Sequence, residues 1–170
     1  MPGSNQEMKA FRAVADSSCL IGLAQINQIE LLKKLFSEVY IPQAVHDEVV
    51  SKGKGEAGSE ETESAIKHGW LKKKTVKDKI AVSALTPVLS RGESEVIILC
   101  KELEFEYALI DEKTARNMAG LMGVNTMGVI GIIMLAEERG FSIDKKKLID
   151  QLIDSGFRIS DRLYRRIISE

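Results

Sequence analysis

Acidic residues occupy the ends of several apolar segments in this 170-residue chain. Asp16 interrupts the small apolar run AVADSSCLI, and Asp111 directly follows the apolar run Tyr107–Ile110. The other acids in comparable positions, on or near predicted helix starts, are Glu48, Glu93, Glu95 and Glu112. If parallel strands carry Asp16 and Asp111 to the same edge of a sheet, these residues form a pocket of four to six carboxylates.

A cluster of carboxylates is unfavourable without a cation, because like charges in close proximity raise one another's pKa and oppose folding. A divalent cation removes this repulsion, and hard oxygen ligands suit Mg²⁺ or Mn²⁺. A cation held in this way lowers the pKa of a bound water and neutralises charge that develops on a phosphodiester. The acids therefore indicate metal-dependent hydrolysis of a phosphodiester bond.

Each acid also has a purely structural explanation. Asp16 and Asp111 are typical helix N-caps, and Ser90-x-x-Glu93 fits a capping box. Glu95 and Glu112 would interact favourably with a helix dipole near a helix N-terminus, and Glu48 could be a solvated helix residue. On charge alone, Asp47 is as reasonable a candidate acid as Glu48 beside it. Independent caps account for each residue but not for their convergence.

The elements that would position these acids follow from the hydrophobic pattern. Short apolar runs predict strands at about 11–16, 39–41, 107–110 and 124–126, and a strand or extended piece after Gly69. Helical periodicity predicts two short helices after the first strand, one from Ser90, and others at about 42–52, 112–122, 128–139, 144–155 and 160–169. Strands that alternate with helices indicate a parallel sheet, whose ligands bind beyond the carboxyl ends of the strands.

Composition limits the class of protein. Lys and Arg total 24 against 25 for Asp and Glu, so nucleic-acid binding would depend on local basic patches. Cys19 and Cys100 lack CxxC spacing and are expected to be reduced core residues. No apolar run approaches the ~20 residues of a membrane span and no secretory signal opens the chain, which favours a cytoplasmic protein. We expect a flexible tail at 1–8 and a single domain at 9–170.

Several motifs resemble those of PIN domains, the metal-dependent ribonucleases that include VapC-type toxins. The stretch DSSCLI at 16–21 is similar to the opening D-x-[ST]-x-x-I motif, and IPQAVHDEV at 41–49 is similar to the second motif, with Glu48 as its acid. Glu93 lies 18 residues before Asp111, a spacing similar to that of the third and fourth PIN acids. The chain most resembles a subfamily with G-E-x-E, D-[DE]-x-x-A-R and G-F-R-[IL]-S motifs, present here as GESE, DEKTAR and GFRIS.

The resemblance covers about residues 12–168 and implies a three-layer α/β/α PIN-like fold with a central parallel sheet of four or five strands. It implies Mg²⁺ or Mn²⁺ as cofactor, with Asp16 and Asp111 as the main ligands. The implied catalytic acids, which bind the metal directly or through water, are Asp16, Glu48, Glu93 and Asp111. Glu95 and Glu112 are second-tier metal candidates. Most VapC-type members have Asp where Glu93 stands, and the longer side chain places its carboxylate farther from the backbone.

The resemblance also implies a substrate and partners. The substrate would be RNA, cut by an endoribonuclease, with Ser18, Lys113 and Arg116 as candidate contacts to its phosphate. An exposed helix surface is the alternative explanation for Lys113 and Arg116. A toxin of a toxin–antitoxin pair would bind an antitoxin protein or a second copy of itself, and no membrane is expected. The alternative function is a non-catalytic PIN-like interaction module with a vestigial acidic pocket. A phospho-acceptor receiver domain would need two adjacent acids near the first strand, where only Asp16 is present.

The C-terminal segments combine basic and apolar residues. The basic ones, either a local cationic surface for RNA or an ordinary solvated helix face, are Lys145, Lys146, Lys147, Arg158, Arg162, Arg165 and Arg166. The apolar ones, which would pack on the domain's own core or contact a partner, are Leu148, Ile149, Leu152, Ile153, Leu163 and Ile167.

Overall fold

A five-stranded parallel sheet organises residues 10–170, the part of the chain that the computed structural model describes. Its strands are β1 (Phe11–Ala15), β2 (Phe36–Ile41), β3 (Leu71–Lys73), β4 (Tyr107–Leu109) and β5 (Thr126–Met127). They lie in the order β3-β2-β1-β4-β5, and every neighbouring pair is parallel. The predicted parallel sheet is confirmed. The tail predicted at 1–8 lies outside the described residues.

Helices flank the sheet. In the described part of the chain they are α1 (Ser17–Gln25), α2 (Glu30–Leu35), α3 (Gln43–His46), α4 (Ser59–Lys67), α5 (Lys79–Leu85), α6 (Arg91–Leu103), α7 (Lys113–Leu121), α8 (Val129–Glu138), α9 (Lys145–Asp154) and α10 (Asp161–Ser169). A π-helical turn, Asp47–Ser51, continues α3. Helices α1, α8 and α9 pack together on one face, while α6 contacts α5 and α7 on the other. The predicted three-layer α/β/α arrangement is confirmed.

The order of the strands reverses between β1 and β4. From β1 the chain proceeds to β2 and β3 on one side, and then α6 returns it to β4 on the other side. Ala15 pairs with Leu109, and the Asp16 N–H donates to the Leu109 carbonyl over 3.0 Å. The first residue after β1 therefore lies beside the end of β4, at the switch point where parallel α/β sheets bind ligands.

The core lies around β1 and α6. Ala13, Val14 and Ala15 are fully buried, and nearly the whole run 94–100 of α6 is enclosed. Because seven consecutive residues cover every side of a helix, this stretch of α6 is enclosed all round, with contacts to β1, β4, α3, α5 and α7. Cys19 and Cys100 are buried and unpaired, as predicted. Within residues 10–170, no helix has the length and apolarity needed to cross a bilayer.

The terminal helices mostly cover the domain's own core. Leu148, Ile149, Leu152 and Ile167 are buried, which favours self-packing for these positions. Among the apolar residues named for the two terminal helices, Ile153 and Leu163 are the exposed ones, with 40% and 36% of their surface accessible.

Three local predictions differ from the structure. Strand β2 begins at Phe36 instead of 39. Helix α5 was not predicted, because Val82 is its one buried residue and Ile80 is 85% exposed, so no periodic apolar face marks it. Strand β5 begins at Thr126 instead of 124, because the Val124 N–H donates to the Ala119 carbonyl at the end of α7.

Candidate functional site

Asp16 is a buried carboxylate at the end of β1. It stands directly before α1, yet its side chain makes no capping hydrogen bond to that helix, so the N-cap explanation does not account for it. Burial is the main cause that raises the pKa of Asp16 to about 7, and the negative charges of Glu93 and Glu48 contribute. The Ser17 N–H and the Ser18 hydroxyl, which lies 3.3 Å from Oδ2, act in the opposite direction.

Glu48 approaches Asp16 from the π-helical turn that follows α3. The Ser17 hydroxyl donates to Glu48 Oε2 over 2.8 Å, which ties this turn to the start of α1. Gly92, near the start of α6, faces both acids: a Cβ at this position would lie 3.2 Å from Glu48 Oε2 and 3.6 Å from Asp16 Oδ1. The missing side chain at position 92 therefore leaves space for the two carboxylates.

Glu93 and Glu95 both have local partners. The Ser90 N–H donates to Glu93 Oε1 over 2.9 Å, and the Glu93 N–H donates to Ser90 Oγ over 3.1 Å, which completes the capping box considered from the sequence. Glu95 is buried, accepts the Ala44 N–H over 3.3 Å and pairs with Arg91. Glu93 thus lies near Asp16 while it caps α6, whereas Glu95 connects α6 to α3.

Asp111 follows β4 by two residues and contacts the start of α8. Its Oδ1 accepts the Val129 N–H over 2.9 Å, whereas its Oδ2 is buried and has no hydrogen-bond partner within the described residues. A Cβ on Gly128 would lie 2.5 Å from Oδ1, so this approach requires glycine. Burial raises the pKa of Asp111, while the Val129 N–H and the charge of Arg116 oppose that change.

The residues after Asp111 separate into a cap and a cationic neighbour. Glu112, not Asp111, is the N-cap of α7: it accepts the Ala115 N–H over 2.8 Å, and this bond lowers the pKa of Glu112. Arg116 is exposed, and its Nη1 lies 3.6 Å from the position of a Cβ on Gly128, next to Asp111. Lys113 is exposed on α7, and within the described residues no salt bridge connects it to the acids.

Asp16 and Asp111 border one buried region. Burial is the first cause that raises the pKa of the Cys19 thiol, and both carboxylates add to it, so both lie near the same sulfur. Among residues 10–170, no three His, Cys, Asp or Glu side chains converge closely enough to enclose a metal ion. The donors are nevertheless hard oxygens, and one buried oxygen of Asp111 lacks a partner. Such a set fits Mg²⁺ or Mn²⁺ bound by one or two carboxylates and several waters.

The sequence matches, over residues 12–170, a family model described as a PIN domain. This chain belongs to the PIN domain family. PIN domains are generally nucleases and typically use divalent metals. The structure is similar to a PilT N-terminus domain protein from the hyperthermophilic archaeon Sulfolobus solfataricus P2, with 20% identity and a TM-score of 0.53; the match covers 78% of this chain and 98% of that chain. The likeness supports the fold. A comparison with curated proteins gave no match.

Three residues of this PIN domain site were not among the predicted site residues. Ser17 binds Glu48, while Gly92 and Gly128 give the carboxylates room. Ser17 could have been found from its place beside Asp16, and Gly92 from its place in the GESE motif. Gly128 has only a weak signal, a glycine between a short strand and an apolar helix.

Asp16→Asn is expected to stabilise the metal-free protein at alkaline pH. The pKa of Asp16 in the folded state, about 7, lies above the usual 3.8, so the contribution of this carboxyl group to stability is full at acidic pH and is lost as the pH rises through 7. The variant cannot ionise, so its advantage in unfolding free energy should grow from near zero at about pH 4 to on the order of a few kcal/mol at about pH 8.

Urea unfolding in EDTA across this pH range measures the difference. The matched control is Asp154→Asn, which removes an exposed carboxylate on α9 and should give no such growth. Parallel pH profiles for wild type and Asp16→Asn would contradict the raised pKa.

Gly128→Ala is expected to destabilise the fold by about 1–3 kcal/mol, because the new methyl group would displace Asp111 from the Val129 N–H and leave that donor unpaired. Chemical denaturation measures the change. Gly120→Ala is the matched control, since a Cβ there meets nothing within 4 Å and alanine favours the helix. Equal stability of the two variants would show that Gly128 is not required for the approach of Asp111.

Proposed function

We propose that this PIN domain is a metal-dependent endoribonuclease that hydrolyses RNA phosphodiester bonds with Mg²⁺ or Mn²⁺. The observation that carries the proposal is the pair of carboxylates at the switch point, buried Asp16 and half-buried Asp111. Asp16 has two acidic neighbours, Glu48 and Glu93, and Asp111 has a buried oxygen without a partner. Neither Asp16 nor Asp111 forms a salt bridge within residues 10–170. Buried carboxylates without a compensating cation are costly, and a bound divalent ion would remove that cost.

Four acids would hold the ion. Asp16 and Asp111 would bind it directly, and Glu48 and Glu93 would bind through its water ligands. When bound, the ion supplies a water of lowered pKa and stabilises negative charge on the phosphodiester oxygens. The protein contributes orientation: the Ser17 hydroxyl fixes Glu48.

Arg116 is the proposed contact to the substrate phosphate. It is exposed beside Asp111 and forms no salt bridge within the described chain, so its guanidinium can accommodate a phosphate in a bidentate arrangement. Ser18 is exposed next to Asp16 and offers a hydroxyl to the same substrate. Lys113 is a weaker candidate, because no salt bridge among residues 10–170 connects it to the acids.

A toxin role within a toxin–antitoxin pair is part of the proposal. Its partner would be an antitoxin protein or a second copy of the chain. The exposed parts of Ile153 and Leu163 on the terminal helices are the apolar surface that such a contact would cover.

A non-catalytic interaction module is the second candidate. Two observations favour it: Glu93 is engaged in a capping box, and no three metal-ligating side chains converge within residues 10–170. Such a module would keep the acidic pocket and the RNA or protein surface without turnover. The two candidates differ in one measurable property, which is RNA cleavage in the presence of metal.

Cleavage of labelled single-stranded RNA is expected with Mn²⁺ or Mg²⁺ and is expected to stop in EDTA. Asp111→Asn should lower the rate at least about 100-fold, because the metal's charge stabilisation amounts to several kcal/mol and each 1.4 kcal/mol is tenfold. Glu112→Gln is the matched control: it removes one charge from the adjacent residue, leaves an oxygen to cap α7, and should cut RNA normally. Cleavage that is unaffected by EDTA or by Asp111→Asn would refute the metal mechanism.

Metal binding is expected to raise the melting temperature. An ion that binds only the folded state adds about 2.7 kcal/mol at one hundred times its dissociation constant. Asp16→Asn and Asp111→Asn should weaken this response to Mn²⁺, while Glu112→Gln should retain it. A melting temperature that stays constant across millimolar Mn²⁺ would refute the site, whereas a metal response without cleavage of any RNA would support the non-catalytic module.

A further inference from the structure

Helix α10 carries a row of exposed arginines. Arg162, Arg165 and Arg166 are related by i, i+3 and i+4 spacing and therefore share one face of the helix. Arg158 is exposed in the loop just before it. Within the described residues, none of these four guanidinium groups makes a hydrogen bond or a salt bridge.

The other side of α10 is fixed to the domain. Ile167 is buried, and the Tyr164 hydroxyl donates to Asp150 Oδ1 on α9 over 2.7 Å. Asp150 also accepts from Lys146 over 2.8 Å, which compensates its charge locally. The arginine row therefore lies on a helix that Ile167 and Tyr164 attach to the domain.

The start of α10 lies toward the acidic site. Gly22 lies between α8 and α9, because a Cβ on it would be 3.1 Å from Val129 Cγ2 and 4.0 Å from Leu152 Cδ2. Val129 is the residue whose N–H binds Asp111, so the C-terminal half of α9 lies close to that carboxylate. The chain leaves α9 through a hydrogen bond from the Phe157 N–H to the Leu152 carbonyl and then begins α10.

One contact joins α10 to α9. Tyr164, in the first half of α10, pairs with Asp150 in the middle of α9. Arg158 follows the end of α9 in the loop before α10, and Arg165 and Arg166 lie about one helical turn beyond Arg162, roughly 5 Å. Together the four residues form a cationic strip that begins just after the end of α9 and continues along the exposed face of α10.

We propose that this strip, Arg158, Arg162, Arg165 and Arg166, binds the phosphate backbone of the RNA beside the acidic site. The inference rests on the proposed ribonuclease function. The whole chain has a formal net charge of −1, yet residues 155–170 contain these four arginines against two acids, Asp161 and Glu170. A carboxylate site repels RNA unless nearby cations hold the flanking phosphates, and guanidinium groups bind phosphate in a bidentate fork. An acidic protein segment would gain the same charge attraction but has no reason to lie beside the carboxylates.

The test is RNA binding measured without cleavage. Fluorescence anisotropy of a labelled single-stranded RNA is recorded in EDTA at several salt concentrations for the full chain. The variant R162Q/R165Q/R166Q is expected to bind at least about tenfold more weakly at low salt, and its log K against log salt slope should be shallower by about 2, since each lost single-strand phosphate contact contributes about 0.7. R162K/R165K/R166K keeps the charges and should retain most of the affinity.

The matched control removes three lysines from the opposite end of the sheet. Lys33 and Lys34 on α2 and Lys67 on α4 are exposed and precede the amino ends of β2 and β3. K33Q/K34Q/K67Q should retain the wild-type affinity and slope. Thermal melting of all variants checks that the substitutions leave the fold intact, and glutamine suits a helix about as well as arginine.

Equal binding by wild type and R162Q/R165Q/R166Q, or no RNA binding by wild type, would overturn the proposal. Polyglutamate that competes as strongly as RNA of equal charge would overturn it in favour of an acidic protein partner. The outcome is separate from the nuclease question. RNA binding that depends on the α10 arginines, without any cleavage in Mn²⁺, would refute the ribonuclease and support RNA binding by the strip. Cleavage together with unchanged RNA binding by R162Q/R165Q/R166Q would support the ribonuclease and refute RNA binding by the strip.

Discussion

The parallel pairing of β1 with β4 is the constraint on which the rest of the structure depends. The hydrogen bond from the Asp16 N–H to the Leu109 carbonyl joins residues that are far apart in sequence. Such a pairing requires a long crossover, and α6, buried on nearly every side, is the helix that supplies it. Once β1 and β4 are neighbours, the residues that follow them must share one edge of the sheet. Asp16 and Asp111 are therefore brought together by topology and not by local sequence.

The same edge carries a stability cost that the surrounding contacts partly offset. Desolvation raises the pKa of both Asp16 and Asp111, so each carboxylate is less favourable when ionised in the folded state than in water. Hydrogen bonds from Ser17 and Ser18 to Asp16 and from Val129 to Asp111 compensate only in part. The arrangement persists because the apolar core around β1 and α6 contributes much more than these two groups cost.

The sequence was sufficient to predict the sheet, because apolar runs that alternate with periodic helices have few compact solutions. It was also sufficient to place Asp16 and Asp111 at strand ends. It could not identify the hydrogen-bond partners of Asp111 and Glu48, since Val129 meets Asp111 through the tertiary fold and Ser17 meets Glu48 across 31 positions. Helix α5 was missed for a different reason: its main signal is the cap at Asp78, which accepts the Ala81 N–H, and not an apolar face.

Glu93 and Glu112 illustrate why a capping interaction does not by itself decide a residue's role. Both carboxylates accept a backbone N–H at a helix start. The charge of Glu93 nevertheless contributes to the raised pKa of Asp16, whereas Glu112 is not among the groups that shift the pKa of Asp111. Glu93 therefore adds negative charge beside Asp16 while it caps α6, whereas the carboxylate of Glu112 is engaged at the start of α7. The two acids share the same kind of capping motif. They differ in that the charge of Glu93 acts on a carboxylate at a strand end, whereas the charge of Glu112 does not.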